Sequence, residues 1–380
     1  MKRIILSGGG TGGHIYPAVA VAEALKRAWG DEVELLFVGA EGRMEMEKVP
    51  ALGYRIEGLP VAGLQRALTK KNIKNNLLVP FKVVASVRRA KRIIREFKAD
   101  AVVGFGGYAS APILWAAQRL GVPTLIQEQN SYAGVTNKIL AKGARLICVA
   151  YEGMERFFPK ERILLTGNPV RKNLLEMRAN RKEAMKAMQL DENRKCVLIV
   201  GGSLGARSIN EGIMANIEKI RENSGIQFIW QTGKLYFEEM KRRAAEAGKP
   251  ENLIITDFVS NMGNALSAAN LVVSRAGAGS ISEFALLGKA VILVPSPNVS
   301  EDHQTKNAMA LVDKDAAIYV ADANVNEELI EKTIETVNDE MKIALLEANI
   351  QKMGKPNAAS EIADEVLKLA DAHIEKRTGR

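Results

Sequence analysis

Two doubly wound α/β units, each a parallel sheet covered by helices on both faces, are what this sequence predicts. Three observations carry the expectation. The strand candidates are short, nearly continuous apolar runs such as Cys196-Val197-Leu198-Ile199-Val200, and such runs suit strands buried on both faces. Glycine-rich turns follow several of them and lead into helical stretches. The whole pattern then begins again near residue 196.

Residues 3–6 read as the first strand, followed by the turn Ser7-Gly8-Gly9-Gly10-Thr11-Gly12-Gly13-His14. A helix over about residues 14–28 places Ile15, Val19, Ala22 and Leu25 on one face. Residues 33–38, 101–103, 124–126 and 146–149 supply further strands. Glycine and proline then punctuate the chain at Gly167-Asn168-Pro169-Val170. In the second unit the strands are expected at 196–200, 226–230, 253–255, 271–273 and 291–294, with a helix from about Ala206. A helical tail over 357–376 carries Ile362, Val366, Leu367 and Leu369, a stripe that suits packing on either half. The expected domains are 1–167 and 168–353, with residues 354–380 returning to the first.

Composition narrows the class. A chain of 380 residues, 47% hydrophobic and 26% charged, is an ordinary globular protein of two or three domains, not a disordered chain or a rod. Two cysteines (Cys148, Cys196) and three histidines (His14, His303, His373) exclude a disulfide scaffold and a structural zinc site. No run approaches the length of a membrane span, and the apolar run after Met1 is too short for an export signal.

The net charge of +9 is unevenly placed, because residues 66–98 hold eleven basic residues against Glu96. Val83, Val87, Ala90, Ile94 and Phe97 recur at helical spacing and read as core, while Lys82, Arg88, Arg89, Lys91, Arg92 and Arg95 fall on other faces. Leu77, Leu78, Val79 and Phe81 remain as apolar residues beside Lys70, Lys71 and Lys74. Apolar and basic side chains together suit docking on an anionic bilayer; a solvated charged face is the alternative. Nucleic acid is disfavoured, since the aromatic residues that stack bases are missing.

The glycine turns carry the chemistry. A turn between strand and helix lets the backbone approach a ligand, and the helix amino end seats a phosphate. Gly8, Gly10 and Gly13 also fit the dinucleotide fingerprint, but Glu41 sits late for the acid that fingerprint needs. Gly104-Phe105-Gly106-Gly107-Tyr108 is a second such turn in the same unit. The second unit has Gly201-Gly202-Ser203-Leu204-Gly205 and Ser274-Arg275-Ala276-Gly277-Ala278-Gly279-Ser280. Glu283, one turn past Ser280, suits either a ribose diol or a capping box with Ser280. His14 stands where a helix amino end favours the neutral imidazole a general base needs. His303 and Gln304 can read sugar hydroxyls or simply start a helix, and Asp313-Lys314-Asp315 reads as a solvated turn, not a metal site.

Taken in order, Gly9-Gly10-Thr11-Gly12-Gly13-His14-x-x-Pro17-Ala18, Gly104-Phe105-Gly106-Gly107-Tyr108, Glu128-Gln129-Asn130, Gly167-Asn168-Pro169-Val170-Arg171, Gly201-Gly202-Ser203-x-Gly205-Ala206 and Asp302-His303-Gln304-x-x-Asn307-Ala308 form a set. This set resembles the MurG family, the UDP-N-acetylglucosamine–N-acetylmuramyl-(pentapeptide) pyrophosphoryl-undecaprenol N-acetylglucosamine transferases of bacterial peptidoglycan synthesis. The resemblance implies a GT-B fold, with a lipid-linked acceptor on the amino half and UDP-N-acetylglucosamine on the carboxy half. It implies inverting transfer to the acceptor's 4-hydroxyl, with His14 as base or acceptor-site histidine. Arg171, Ser203, Ala278, Gly279 and Ser280 then match donor phosphate contacts, Glu283 the ribose contact, Phe258 and Val259 the uracil contacts, and Gln304 the donor sugar. Thr11, Gly12, Gly13 and Asn130 join the donor set. Gly10, Gly104, Gly106, Gly107 and Tyr108 face the acceptor diphosphate. Leu77, Leu78, Val79, Phe81 and Trp115 touch the membrane. Some members carry glutamine where this chain has His303. No cofactor or metal is implied, no nucleic acid is expected, and the expected location is peripheral, on the cytoplasmic face of the inner membrane.

The competing readings are a transferase using the same kind of donor and another lipid acceptor, a nicotinamide-dependent oxidoreductase built on residues 8–13, and a non-catalytic membrane or nucleic-acid binder built on the basic segment.

Overall fold

Ile4, Ile5 and Leu6 have no solvent exposure, and neither do Val197, Leu198 and Ile199, so the first strand of each unit is a central one. The computed structural model describes residues 1–61, 79–170, 180–202 and 204–379. The chain divides into two units, Met1–Arg171 with Lys355–Arg380, and Lys172–Gly354.

In the first unit the order is β1 (Lys2–Ser7), α1 (Gly12–Trp29), β2 (Val33–Ala40), α2 (Glu45–Ala51), β3 (Ile56–Leu59), α3 (Val79–Phe97), β4 (Ala101–Gly104), α4 (Ser110–Leu120), β5 (Thr124–Glu128), α5 (Val135–Leu140), β6 (Leu146–Val149) and β7 (Ile163–Leu165). The strands form one parallel sheet in the order β3-β2-β1-β4-β5-β6-β7. Its two faces bury separate apolar clusters. One lies under α3, α4 and α5, with Ile93, Ile94, Phe97, Ile113 and Leu140. The other joins Ile15, Val19 and Leu25 of α1 to Ile362, Val366 and Leu367 of the C-terminal helix.

The second unit runs α6 (Arg181–Ala187), β8 (Lys195–Val200), α7 (Arg207–Ala215), α8 (Ile217–Glu222), β9 (Ile226–Gln231), α9 (Phe237–Glu246), β10 (Leu253–Thr256), α10 (Met262–Ala268), β11 (Leu271–Ser274), α11 (Ala278–Leu287), β12 (Val291–Leu293), α12 (His303–Val312), β13 (Ile318–Tyr319), α13 (Ile330–Asn338) and α14 (Glu340–Lys352). Its parallel sheet has the order β10-β9-β8-β11-β12-β13. The last helix, α15 (Ala358–Thr378), belongs to the first unit, where it packs on α1, β1 and β4.

Each sheet reverses its winding once, between β1 and β4 and between β8 and β11. At such a switch point the loops after the two strands part, and a crevice opens at their carboxyl ends. Ser7 pairs with Gly104, and Ser274 with Val200, so each pair of glycine turns leaves its sheet side by side.

The helix α3 corrects one expectation. Ala90, Ile94 and Phe97 are buried, together with Ile93, but Val83 is 51% exposed and Val84 is 49% exposed. The buried stripe begins only at Ser86, so the first described turn of side chains stands clear of the surface on which α3 packs.

Candidate functional site

The turn after β1 is built around a buried carboxyl group. Glu45, at the start of α2, accepts the main-chain N–H of Gly10 (2.9 Å) and of Ala40 (2.9 Å). A side chain on Gly9 would collide with this carboxyl group, and one on Gly107 with the carbonyl of Gly9. Gly10, Gly106 and Gly107 all have left-handed backbones, at φ of 84°, 94° and 85°. The Ser110 hydroxyl, donating to the carbonyl of Gly106 (2.7 Å) and within 2.8 Å of that of Ser7, ties the two turns together. The Gly10 N–H is thus committed to Glu45, which removes one donor from the set expected to face a diphosphate.

His14 lies in the first turn of α1. Its Nδ1 is 3.1 Å from Gln129 Oε1, and its ring lies so close to Gly106 that a β-carbon there would come within 2.9 Å of Nδ1. Thr11 is the residue before α1, and its carbonyl accepts the N–H of His14 and of Ile15 (3.2 Å each). Behind His14, Gln129, Gln127 and Asn168 form a buried run of amides. Asn130 bonds its neighbour Glu128, whose carboxyl group also accepts from the main chain of Gly134 (3.1 Å) and from Asn137 (2.8 Å). Gly12 and Gly13 open α1, and Tyr108, past the second turn, is 55% exposed.

In the second unit a cavity of about 670 Å3 opens at the switch point, lined among others by Gly201, Gly202, Arg207, Glu211, Ser296 and Gln304. Arg275 also lines it and is held by its neighbours. Its guanidinium donates to Asp322 (2.5 Å), to the Ser208 hydroxyl (2.8 Å) and to the carbonyls of Val294 and Pro295. Gln231 donates to the carbonyl of Gly202 (3.0 Å) and holds the turn. Ser296 N–H donates to Gln304 Oε1 (2.9 Å), so the group Gln304 offers a ligand is its amide nitrogen.

The start of α11 settles one open choice. The residue before the helix is Gly277, which makes Ser280 the third helical residue and Glu283 a residue of the next turn. A capping box is therefore ruled out, and Ala278, Gly279 and Ser280 supply the first-turn N–H groups that have no partner within a helix. Phe258 is 49% exposed while Val259 beside it is buried, and the carbonyl of Phe258 accepts from the Thr256 hydroxyl (2.9 Å).

Other candidates fall outside the two turns. Asp313, Lys314 and Asp315 are exposed after α12, and His303 is that helix's first residue. Glu41 forms an ion pair with Arg89 of α3 (2.6 Å). Burial pushes both cysteine thiols up to about 12, so neither supplies a thiolate near neutral pH. Trp115 of α4 stacks under Lys91 (5.6 Å) and Arg119 (5.0 Å), on the side of the molecule that carries α3. Leu77, Leu78, Arg171 and Ser203 lie outside the described residues, as do the side chains of Val79 and Phe81 at the start of α3. Among the described residues no three acidic, histidine or cysteine side chains are grouped to hold a metal, and no helix is long and apolar enough to cross a membrane.

Sequence reasoning missed Glu45, Gln127 and the role of Gln129. The signal for the two glutamines was present: Gln127-Glu128-Gln129-Asn130 is a polar run that directly continues the apolar β5. Nothing distinguished Glu45 from neighbouring acids.

Comparison with known proteins agrees with this architecture. Residues 4–149 match the glycosyltransferase family 28 N-terminal domain, and residues 196–366 match the glycosyltransferase family 28 C-terminal domain. The chain is 58% identical over 378 residues to the UDP-N-acetylglucosamine--N-acetylmuramyl-(pentapeptide) pyrophosphoryl-undecaprenol N-acetylglucosamine transferase of Phocaeicola vulgatus, covering 100% of this chain and 99% of the relative. It is 55% identical to the protein of the same name from Bacteroides fragilis, over 97% of this chain and 96% of the relative. The solved MurG of Acinetobacter baumannii superposes with a TM-score of 0.76 at 28% identity, over 97% of this chain and 100% of that one. With two parallel-sheet units of GT-B type and relatives matched along nearly their whole length, this chain belongs to glycosyltransferase family 28.

Proposed function

We propose that this chain transfers N-acetylglucosamine from UDP-N-acetylglucosamine to the 4-hydroxyl of the muramoyl sugar of undecaprenyl-pyrophosphoryl-N-acetylmuramyl-pentapeptide, with inversion at the anomeric carbon. The observation that carries the choice of substrates is near full-length identity to transferases of that name. A transferase with another lipid acceptor has no such support.

The acceptor belongs to the first unit, where His14 takes the proton of the attacking hydroxyl. Gly104, Gly106, Gly107 and Tyr108 border the turn that faces the acceptor diphosphate, and Thr11, Gly12 and Gly13 at the opening of α1 contact the donor. The donor belongs to the second unit. Ala278, Gly279 and Ser280 meet the diphosphate at the amino end of α11, where charge growing on departing UDP is stabilised; one such donor is typically worth about 3 kcal/mol. Arg171 and Ser203 complete the phosphate contacts, Glu283 holds the ribose, the main chain of Phe258 and Val259 reads uracil, and Gln304 and Asn130 read the donor sugar. With these groups in place the reaction asks for no cofactor, and turnover in excess EDTA is the check.

The protein acts at the cytoplasmic face of the inner membrane, with no nucleic acid as partner. Leu77, Leu78, Val79, Phe81 and Trp115 touch anionic lipid together with the exposed Val83 and Val84 and the basic face of α3. Flotation with anionic liposomes, lost in Val83→Glu/Val84→Glu, tests that surface.

The deciding experiment on the site is a pair of variants. His14→Ala lowers kcat by roughly 10²-fold or more with little change in the donor KM. Glu283→Ala weakens UDP binding in calorimetry. Normal turnover in the first removes His14 from the chemistry, and unchanged UDP affinity in the second removes Glu283 from the donor site.

A further inference from the structure

A neutral imidazole accepts a proton only through the ring nitrogen that lacks one. For His14 the amides behind it decide which nitrogen that is. Asn168 Nδ2 donates to the main-chain oxygen of Gln129 (3.0 Å), so the atom Asn168 turns to Gln127 is its Oδ1. Gln127 Nε2 donates to that oxygen (2.9 Å), and Gln127 Oε1 accepts from Gln129 Nε2 (2.5 Å). The same Gln129 amide nitrogen donates to the main-chain oxygen of Phe105 (2.7 Å). The run is anchored at both ends on carbonyls, which only accept. Turning any one amide around would set donor against donor or acceptor against acceptor. Gln129 Oε1 therefore faces His14 Nδ1 as an acceptor, and Nδ1 carries the proton.

We propose that Gln129 is a positioning residue for the transfer: locked by Gln127, Asn168 and the Phe105 carbonyl, it holds His14 as the Nδ1–H tautomer and makes Nε2 the proton acceptor. The proposal rests on His14 acting as the base. The three amide side chains are almost fully buried, at 0% exposure for Gln127, 3% for Gln129 and 5% for Asn168, so their directions are not reset by bulk water. Gly106 lies against the same ring and restricts its swing. In the reaction the acceptor oxygen forms its bond to the anomeric carbon and gives its proton to Nε2. The bond from that carbon to UDP breaks with its electron pair on the UDP oxygen. The imidazolium keeps its Nδ1–H on Gln129 throughout. An amide sets the direction of the ring proton without placing a charge beside it, so the effect falls on geometry and not on donor binding.

The test is 15N NMR of the full-length protein labelled at histidine. There are three histidines, and the His14 signals are identified by their loss in His14→Ala. At a pH where the ring is neutral, the wild-type spectrum shows Nδ1 protonated at His14. In Gln129→Met the ring shifts towards the Nε2–H form and kcat falls roughly tenfold, while KM for UDP-N-acetylglucosamine stays within about twofold. A wild-type His14 protonated on Nε2 overturns the proposal, with no need for the variant to fold. So does a folded Gln129→Met protein with unchanged tautomer and unchanged kcat. The reading of His14 as base fails separately: His14→Ala with full turnover removes it, whatever the tautomer proves to be.

Discussion

The turn after β1 and the turn after β11 both lead from a strand into a helix, and they differ in what their glycines meet. Around β1 and β4, Gly9, Gly106 and Gly107 make room for the protein itself. Gly9 meets Glu45, Gly106 meets the ring of His14, and Gly107 meets the carbonyl of Gly9. In the second unit Gly277 and Gly279 have open space where a side chain would stand, among the described residues. Close packing also explains Gly201 and Gly205 after β8, where side chains would meet the main chain of Ala206 and the carbonyl of Thr232; before α11 the missing side chain instead leaves room for something else to approach. The first turn is a rigid mount for one imidazole, and the second is an open seat at a helix amino end.

The largest test of that difference is Gly107→Ala. Its backbone is left-handed (φ 85°), which costs an alanine roughly 1–2 kcal/mol. The added methyl also meets a main-chain carbonyl that cannot rotate away, and overpacking of that kind adds roughly 1–3 kcal/mol. Denaturant unfolding of the variant should show a loss of about 3 kcal/mol. A variant as stable as the wild type would show that the two turns of the first unit are not packed as described.

Glu45→Gln comes next. Glu45 accepts two main-chain N–H groups through two different oxygens, and glutamine presents one oxygen and one NH2 group. Either the buried Ala40 N–H or the exposed Gly10 N–H then faces another donor, and a mismatch at the buried one costs roughly 1–3 kcal/mol. The thermal transition should fall by several degrees.

Gly279→Ala reverses the pattern. Gly279 is the second residue of α11, nothing obstructs a β-carbon, and alanine in place of glycine stabilises a helix by up to about 1 kcal/mol. Stability should therefore rise slightly while UDP affinity falls, because the methyl occupies the approach to the helix end. A more stable protein with undiminished UDP binding would place the donor phosphate elsewhere.

These turns also show how far the sequence could be read. The glycine runs, the strands they follow and the second start at residue 196 were visible because buried parallel strands are continuous apolar runs. The strands β3, β7 and β13 were not: Ile56-Glu57-Gly58-Leu59 breaks the apolar run, β7 is only partly buried, and β13 has two residues. His14 was legible as a histidine at a helix start, but its partner Gln129 lies 115 residues away and becomes a neighbour only when β5 takes its place in the sheet. Val83 was misread because helical spacing marks a face and not where the surface beneath that face ends. The same limit applies to Ser280 and Glu283, whose spacing is that of a capping box although the helix begins before both.

The smallest effect contrasts the buried Glu45 with a partly exposed acid of the second unit. Glu211 lines the cavity of the second unit and lies across two hydrogen bonds from Arg243 (3.0 and 2.9 Å). The hydrogen bond from Arg243 holds its carboxyl group below the ordinary carboxylate range, against a smaller opposing effect of burial. A carboxyl group with a lowered folded-state pKa adds stability above its unfolded value, and that stability is lost as pH falls through the folded one. In Glu211→Gln the thermal transition near pH 7 should therefore drop by only a degree or two, since a half-exposed pair contributes at most about 1 kcal/mol. As pH falls through the lowered folded-state value the wild type and the variant should converge, because both then lack the charge. A gap between them that widened on acidification would show that Glu211 is held by something other than Arg243.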